Sequence, residues 1–167
     1  AYGYYLFEFT FPDTYPFDPP VVTYFTNDGI TRFNPNLYID GRVCLSLLNT
    51  WKGEGWSSCQ SIRTILLVLT TVLNDFPIEN EPGLKKTHQD NHNYNNMIRY
   101  KNLEIAIIGM LSKRYLDARF NQFYDIITEK FLDNKYNIID FFYKLKSDII
   151  HIENCIINFN LYNSKYI

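Results

Sequence analysis

A side-chain amide and a thiol lie eight positions apart at Asn36 and Cys44, within Asn34-Pro35-Asn36-Leu37-Tyr38-Ile39-Asp40-Gly41-Arg42-Val43-Cys44-Leu45-Ser46. An amide N–H can donate to a developing oxyanion, and a thiolate is a strong nucleophile. Asn-Pro-Asn is turn-forming and a short polar loop follows it, so both groups are expected on one short folded segment. Together they suit acyl transfer through a thioester. Cys44 also sits among turn residues, in the kind of loop that carries function more often than cores do.

The other cysteines read differently. Cys59 falls near an expected helix N-terminus, where the dipole lowers a thiol's pKa, but no partner is positioned for it and a structural role is expected. Cys155 lies among apolar residues and is read as a small hydrophobe. Cys44, Cys59, His88 and His92 could in principle share a zinc ion, because the two histidines are four residues apart. Structural zinc sites carry a close cysteine pair, and none occurs here. A thiol hydrolase would need His88 or His92 as a base for Cys44, with an Asn or Asp behind it. Both histidines lie in a polar tract, where solvated surface is the ordinary explanation.

These side chains need elements to hold them. Residues 4–11 are aromatic-rich with a rough alternation, as a half-buried strand requires. Tyr15-Pro16-Phe17-Asp18-Pro19-Pro20 is a rigid loop, and residues 21–25 read as a neighbouring antiparallel strand ended by Asn27-Asp28-Gly29. Residues 31–55 read as loops. Ser57 and Ser58 offer N-caps to a helix over 60–74, whose Ile62, Ile65, Leu66, Leu69 and Leu73 would face the sheet. Phe76-Pro77 and Glu81-Pro82-Gly83 stop it.

The tract 85–96 reads as a loop, followed by an amphipathic helix over 96–113 with Met97, Tyr100, Leu103, Ile107, Met110 and Leu111. Residues 120–132 read as helical. Ile138, Phe142, Leu145, Ile149, Ile152 and Ile156 form a further helical stripe. The expected class is α+β: an antiparallel β-meander flanked by helices in residues 1–113, with extra C-terminal helices in 114–167.

Composition sets the outer bounds. With 46% hydrophobic and 20% charged residues the 167-residue chain is globular, and its net charge of −2 gives no electrostatic reason to expect nucleic-acid or membrane binding. No stretch of about 18 apolar residues could span a bilayer. Three cysteines at unrelated spacings argue against a disulfide framework and for a reducing compartment, the cytoplasm or nucleus. The chain opens on Ala1 inside apparent strand sequence, so a preceding segment is expected.

Tyr15-Pro16-Phe17-Asp18-Pro19-Pro20, Asn34-Pro35-Asn36, Gly41-Arg42-Val43-Cys44-Leu45-Ser46, Trp56 and Glu81-Pro82 occur in the order and spacing of ubiquitin-conjugating enzymes, which residues 2–113 resemble. Thr50-Trp51-Lys52-Gly53, Asn80-Glu81-Pro82-Gly83 and Asn93-Tyr94-Asn95 are similar to one branch, which carries a helical extension after its core.

The resemblance implies a four-stranded meander, of which an N-terminal helix and at least one strand would precede Ala1. Charging would be impaired without them. It implies that Cys44 accepts a modifier's carboxyl and that Asn36 steadies the loop or the oxyanion. Tyr38 and Glu81 would desolvate and help deprotonate the incoming lysine. Phe17, Pro19, Ser57, Ser58 and Cys59 would contact ligases. The implied partners are ubiquitin or a ubiquitin-like modifier, an activating enzyme, a ligase and a substrate protein. No cofactor is implied, because the acyl group arrives activated. Asn34 replaces the family's usual histidine, and Ser58-Cys59 replace its usual Pro-Ala. An inactive binding module of the same fold is the first alternative, and the thiol hydrolase is the second.

Overall fold

The computed structural model describes residues 2–149 together with 158–159 and 164–165. Strands β1 (Phe7–Thr10) and β2 (Val21–Tyr24) pair antiparallel, with Phe7 opposite Tyr24 and Thr10 opposite Val21. On β2 the alternation is clear: Val22 and Tyr24 are buried and Val21 is exposed. The meander does not continue as a third regular strand among the described residues. It continues as isolated bridges, Thr23 with Arg42 and Leu37 with Val43. Pro35 has no N–H to give a ladder, and Gly41 turns the chain at a φ of 90°, so residues 34–43 cannot run straight.

Helix α1 (Ile62–Val72) lies within the expected span. Its N-cap is Ser61, not Ser57 or Ser58. The Ser57 carbonyl accepts from the Gln60 N–H at 2.9 Å and the Ser57 hydroxyl from the Cys59 N–H at 3.3 Å, so residues 57–60 close a separate turn ahead of the helix. The buried face also differs from the expected stripe. Ile65 and Leu69 are buried, with Val68 and Val72 packed beside them, whereas Ile62, Leu66 and Leu73 are exposed. Ile65 and Leu69 join Val22, Tyr24, Leu37, Val43 and Leu45 in one core. That core is the floor beneath the segment bearing Cys44.

A 3₁₀ turn (Pro77–Asn80) follows the Phe76-Pro77 break. Helix α2 (Asn91–Lys101) begins five residues before the expected start at Asn96. Asparagine is a poor helix former, which hides this start in the sequence. Burial overrides propensity here: Tyr94 is wholly buried, with its hydroxyl donating to the Arg32 carbonyl at 3.1 Å. The helix continues as a π-helical segment (Asn102–Gly109), to whose Ala106 carbonyl the Tyr4 N–H donates at 2.9 Å.

A further 3₁₀ turn (Ala118–Phe123) leads into the long helix α3 (Tyr124–Ile149). Its Ile138 and Leu145 pack on Leu103 and Ile107, while Phe142 of the same expected stripe is exposed. Ile152, Cys155 and Ile156 lie outside the described residues. Two short strands, β3 (Asn158–Phe159) and β4 (Ser164–Lys165), pair antiparallel near the C-terminus. No helix of the described residues is long and apolar enough to cross a membrane.

Candidate active site

The nucleophile segment is pinned by side chains where regular structure is lacking. Asn34 opens an Asx turn in which its Oδ1 accepts the Asn36 N–H at 2.9 Å. Its Nδ2 donates to the Val72 carbonyl at 2.8 Å, and Asn80 Nδ2 reaches that carbonyl at 2.8 Å and Asn34 Oδ1 at 3.3 Å. The Asn-Pro-Asn turn is thereby tied to the C-terminal end of α1. The Asn34 amide thus links two backbones, that of its own turn and that of α1.

Asn36 then grips the cysteine. Its Nδ2 donates to the Cys44 carbonyl at 2.7 Å, and its own carbonyl accepts the Cys44 N–H at 2.8 Å. Asn36 Oδ1 is buried and has no hydrogen-bond partner among the described residues. In this geometry the amide steadies the loop.

Cys44 is buried and its Sγ lies 3.2 Å from the Thr50 carbonyl oxygen. Burial pushes the thiol pKa up; the guanidiniums of Arg32 and Arg42 pull it back, and the Glu81 carboxylate adds to the rise, with a net increase. At neutral pH the group is a thiol.

Cys44 lines a groove of about 580 Å³ with Tyr38, Arg42, Pro19, Thr50 and Trp51. The Tyr38 ring has the Arg32 guanidinium at 4.0 Å and that of Arg42 at 4.8 Å from its centroid. Arg42 in turn pairs with Asp40 at 2.7 Å. Glu81 is half-buried and outside this lining, acting on the thiol through space.

The two expected ligase-contact loops meet. The Trp56 indole N–H donates to the Pro16 carbonyl at 2.7 Å, and the Tyr15 and Trp56 ring centroids are 6.1 Å apart. The Trp56 N–H donates to Asn49 Oδ1 at 2.9 Å, which joins these loops to the turn after Cys44. Phe17 is 79% exposed, and Ser57, Ser58 and Cys59 are exposed beyond Trp56.

The rival groupings do not form. No three His, Cys, Asp or Glu side chains are placed to hold a metal among the described residues. His88 Nδ1 lies 3.7 Å from Asp90 Oδ2 and His92 Nε2 lies 3.0 Å from Asn96 Nδ2, so neither supplies the contact at Cys44 Sγ. Sequence reasoning missed Asn80, Arg32 and the role of Thr50. Their contacts depend on loop closure, which leaves no periodic trace.

Residues 1–106 match the ubiquitin-conjugating enzyme family. The chain belongs to that family. It is 36% identical over 135 residues to ubiquitin-conjugating enzyme E2 Z of Xenopus tropicalis, covering 74% of this chain and 43% of that protein. The Homo sapiens protein of the same name gives 36% identity with coverages of 74% and 38%, and that of Danio rerio 37% with 74% and 41%. This member of the ubiquitin-conjugating family thus spans about two-fifths of the length of these curated relatives.

Proposed function

We propose that this chain carries ubiquitin or a ubiquitin-like modifier as a thioester on Cys44 and passes it to a substrate lysine, with or through a ligase. The observation that carries the reading is the pinned thiol lining an open groove, in a chain of the ubiquitin-conjugating family. In charging, Sγ attacks the thioester carbonyl held by the activating enzyme. The new S–C bond forms, the bond to the activating enzyme's sulfur breaks, and the Cys44 proton ends on that leaving thiolate. ATP is consumed by the activating enzyme.

In discharge a lysine nitrogen attacks the same carbonyl, and Cys44 leaves. An amine of reference pKa about 10.4 must first lose a proton. Tyr38 is the group in the groove that would displace water from it, and Glu81 the carboxylate that would accept its proton. Asn36 holds the loop. Phe17, Pro19, Ser57, Ser58 and Cys59 form the ligase face, with Ser58-Cys59 setting ligase choice. Residues 114–167 act as an extension of the 1–113 core, helical through α3 and carrying the strands β3 and β4. The free Cys44 and Cys59 thiols suit a reducing compartment, the cytoplasm or nucleus.

The test is incubation of the full-length protein with modifier, ATP and a panel of activating enzymes, read on non-reducing and reducing gels. A reducible band shift absent from Cys44→Ala is expected. No shift with any activator, from folded protein, would favour an inactive binding module.

A further inference from the structure

The turn after Cys44 carries a clamp whose role the proposed reaction does not yet include. The 3₁₀ turn Ser46–Leu48 ends on Asn49, whose φ of 57° is left-handed and tolerable for asparagine. That reversal brings Thr50 back against the cysteine segment, with the Thr50 N–H donating to the Leu45 carbonyl at 3.2 Å. Gly53 makes the return possible: a Cβ there would stand 3.0 Å from the Ser46 Cβ.

Thr50 touches residues 43, 44 and 45 in turn. Its Oγ1 accepts the Leu45 N–H at 2.9 Å and lies 2.9 Å from the Val43 carbonyl and 3.0 Å from that of Leu45, to either of which it can donate. Its main-chain oxygen faces Cys44 Sγ at 3.2 Å. One hydroxyl thus fixes the backbone on both sides of the nucleophile, and the same residue supplies the acceptor for the thiol proton. A carbonyl oxygen aimed at sulfur favours the thiol and repels the thiolate.

We infer that Thr50 is a positioning residue for Cys44, holding the nucleophile segment through its hydroxyl and orienting the thiol through its carbonyl. The inference deepens the carrier reading and rests on it for its consequence in charging. Its geometry can be tested without that reading.

Two measurements on the full chain separate the two. The first is the pH profile of Cys44 alkylation by iodoacetamide, followed at the Cys44 peptide by mass spectrometry. In Thr50→Val, which keeps shape but not hydroxyl, the carbonyl is no longer held on the sulfur. Alkylation at neutral pH is expected to rise by about 3- to 10-fold and its midpoint to move to lower pH.

The second is charging by the activating enzyme. There Thr50→Val is expected to lower kcat by about tenfold with KM unchanged, since only the reacting atom is misplaced. Thr50→Ser, which keeps the hydroxyl, is expected to match the wild type in both. Opposite signs toward a small alkylator and the activating enzyme are not what general loosening of the fold would produce.

A folded Thr50→Val with the wild-type alkylation profile would overturn the inference, as would a Thr50→Ser that alkylates faster and charges more slowly than the wild type. If the valine variant does not fold, Thr50→Ala is held to the same profile. Failure of the wild type to charge would remove the carrier reading while leaving the alkylation result to decide Thr50.

Discussion

Residues 34–50 and the neighbouring loops 15–20 and 51–59 are equally poor in regular structure, and they differ in what their side chains do. In the first, Asn34 ties its turn to α1 through the Val72 carbonyl, and Asn36 Nδ2 and Thr50 Oγ1 bond the backbone of residues 43–45. In the second, the Trp56 indole ties the loops together, while Phe17, Ser57, Ser58 and Cys59 are exposed. A reacting atom must be placed to a fraction of an ångström, so the chain surrounding it is over-determined. A surface that selects partners needs exposed side chains on a merely adequate support. Irregular backbone serves both ends, and the hydrogen-bond inventory tells them apart.

The contrast can be broken most severely at Asn34. Asn34→Ala removes the acceptor of the Asn36 N–H and one of the two amide donors on the Val72 carbonyl, Asn80 Nδ2 remaining, and is expected to cost about 2 kcal/mol in urea denaturation and to slow charging. An unchanged midpoint would mean that the turn holds itself. Next comes Trp56→Phe, which removes the bond to Pro16 while keeping an aromatic body. It is expected to cost about 1 kcal/mol and to weaken ligase-stimulated discharge more than charging.

Arg42→Ala probes the thiol's surroundings more gently. Removing a cation that favours the thiolate raises the thiol pKa further, so iodoacetamide should react with Cys44 about 2- to 3-fold more slowly at neutral pH. The difference should vanish above the titration. A faster rate would show that uncovering the thiol outweighs the lost charge.

Phe17→Ala gives the smallest change in stability. The side chain is mostly solvated, so less than about 0.5 kcal/mol is expected, together with reduced affinity for the ligase in a titration. A large loss of stability with intact ligase binding would move Phe17 from the partner face to the scaffold.

Much of this arrangement was legible in the sequence. The period of Ile65 and Leu69 and the alternation at Val22 and Tyr24 announce elements that bury one face, and such periodicity survives whatever the loops do. Cys44 and Asn36 were legible as a pair because Asn-Pro-Asn is a turn with a known local geometry. The start of α2 was hidden, since Asn91, Asn93 and Asn95 oppose a helix locally and only the burial of Tyr94 outweighs them. Ser61 was hidden behind two other serines of equal capping ability. Thr50, Asn80 and Arg32 act across loops, where position depends on closure rather than on spacing.

The proposed carrier function stands or falls on the bond at position 44. Cys44→Ser, charged with modifier, ATP and an activating enzyme, should trap an oxygen ester that survives thiol reductant and hydroxylamine and is cleaved by hydroxide. Tandem mass spectrometry should locate the modifier's C-terminal remnant at position 44. A reductant-labile adduct persisting on that variant, or a remnant mapped to Cys59 or Cys155, would contradict it.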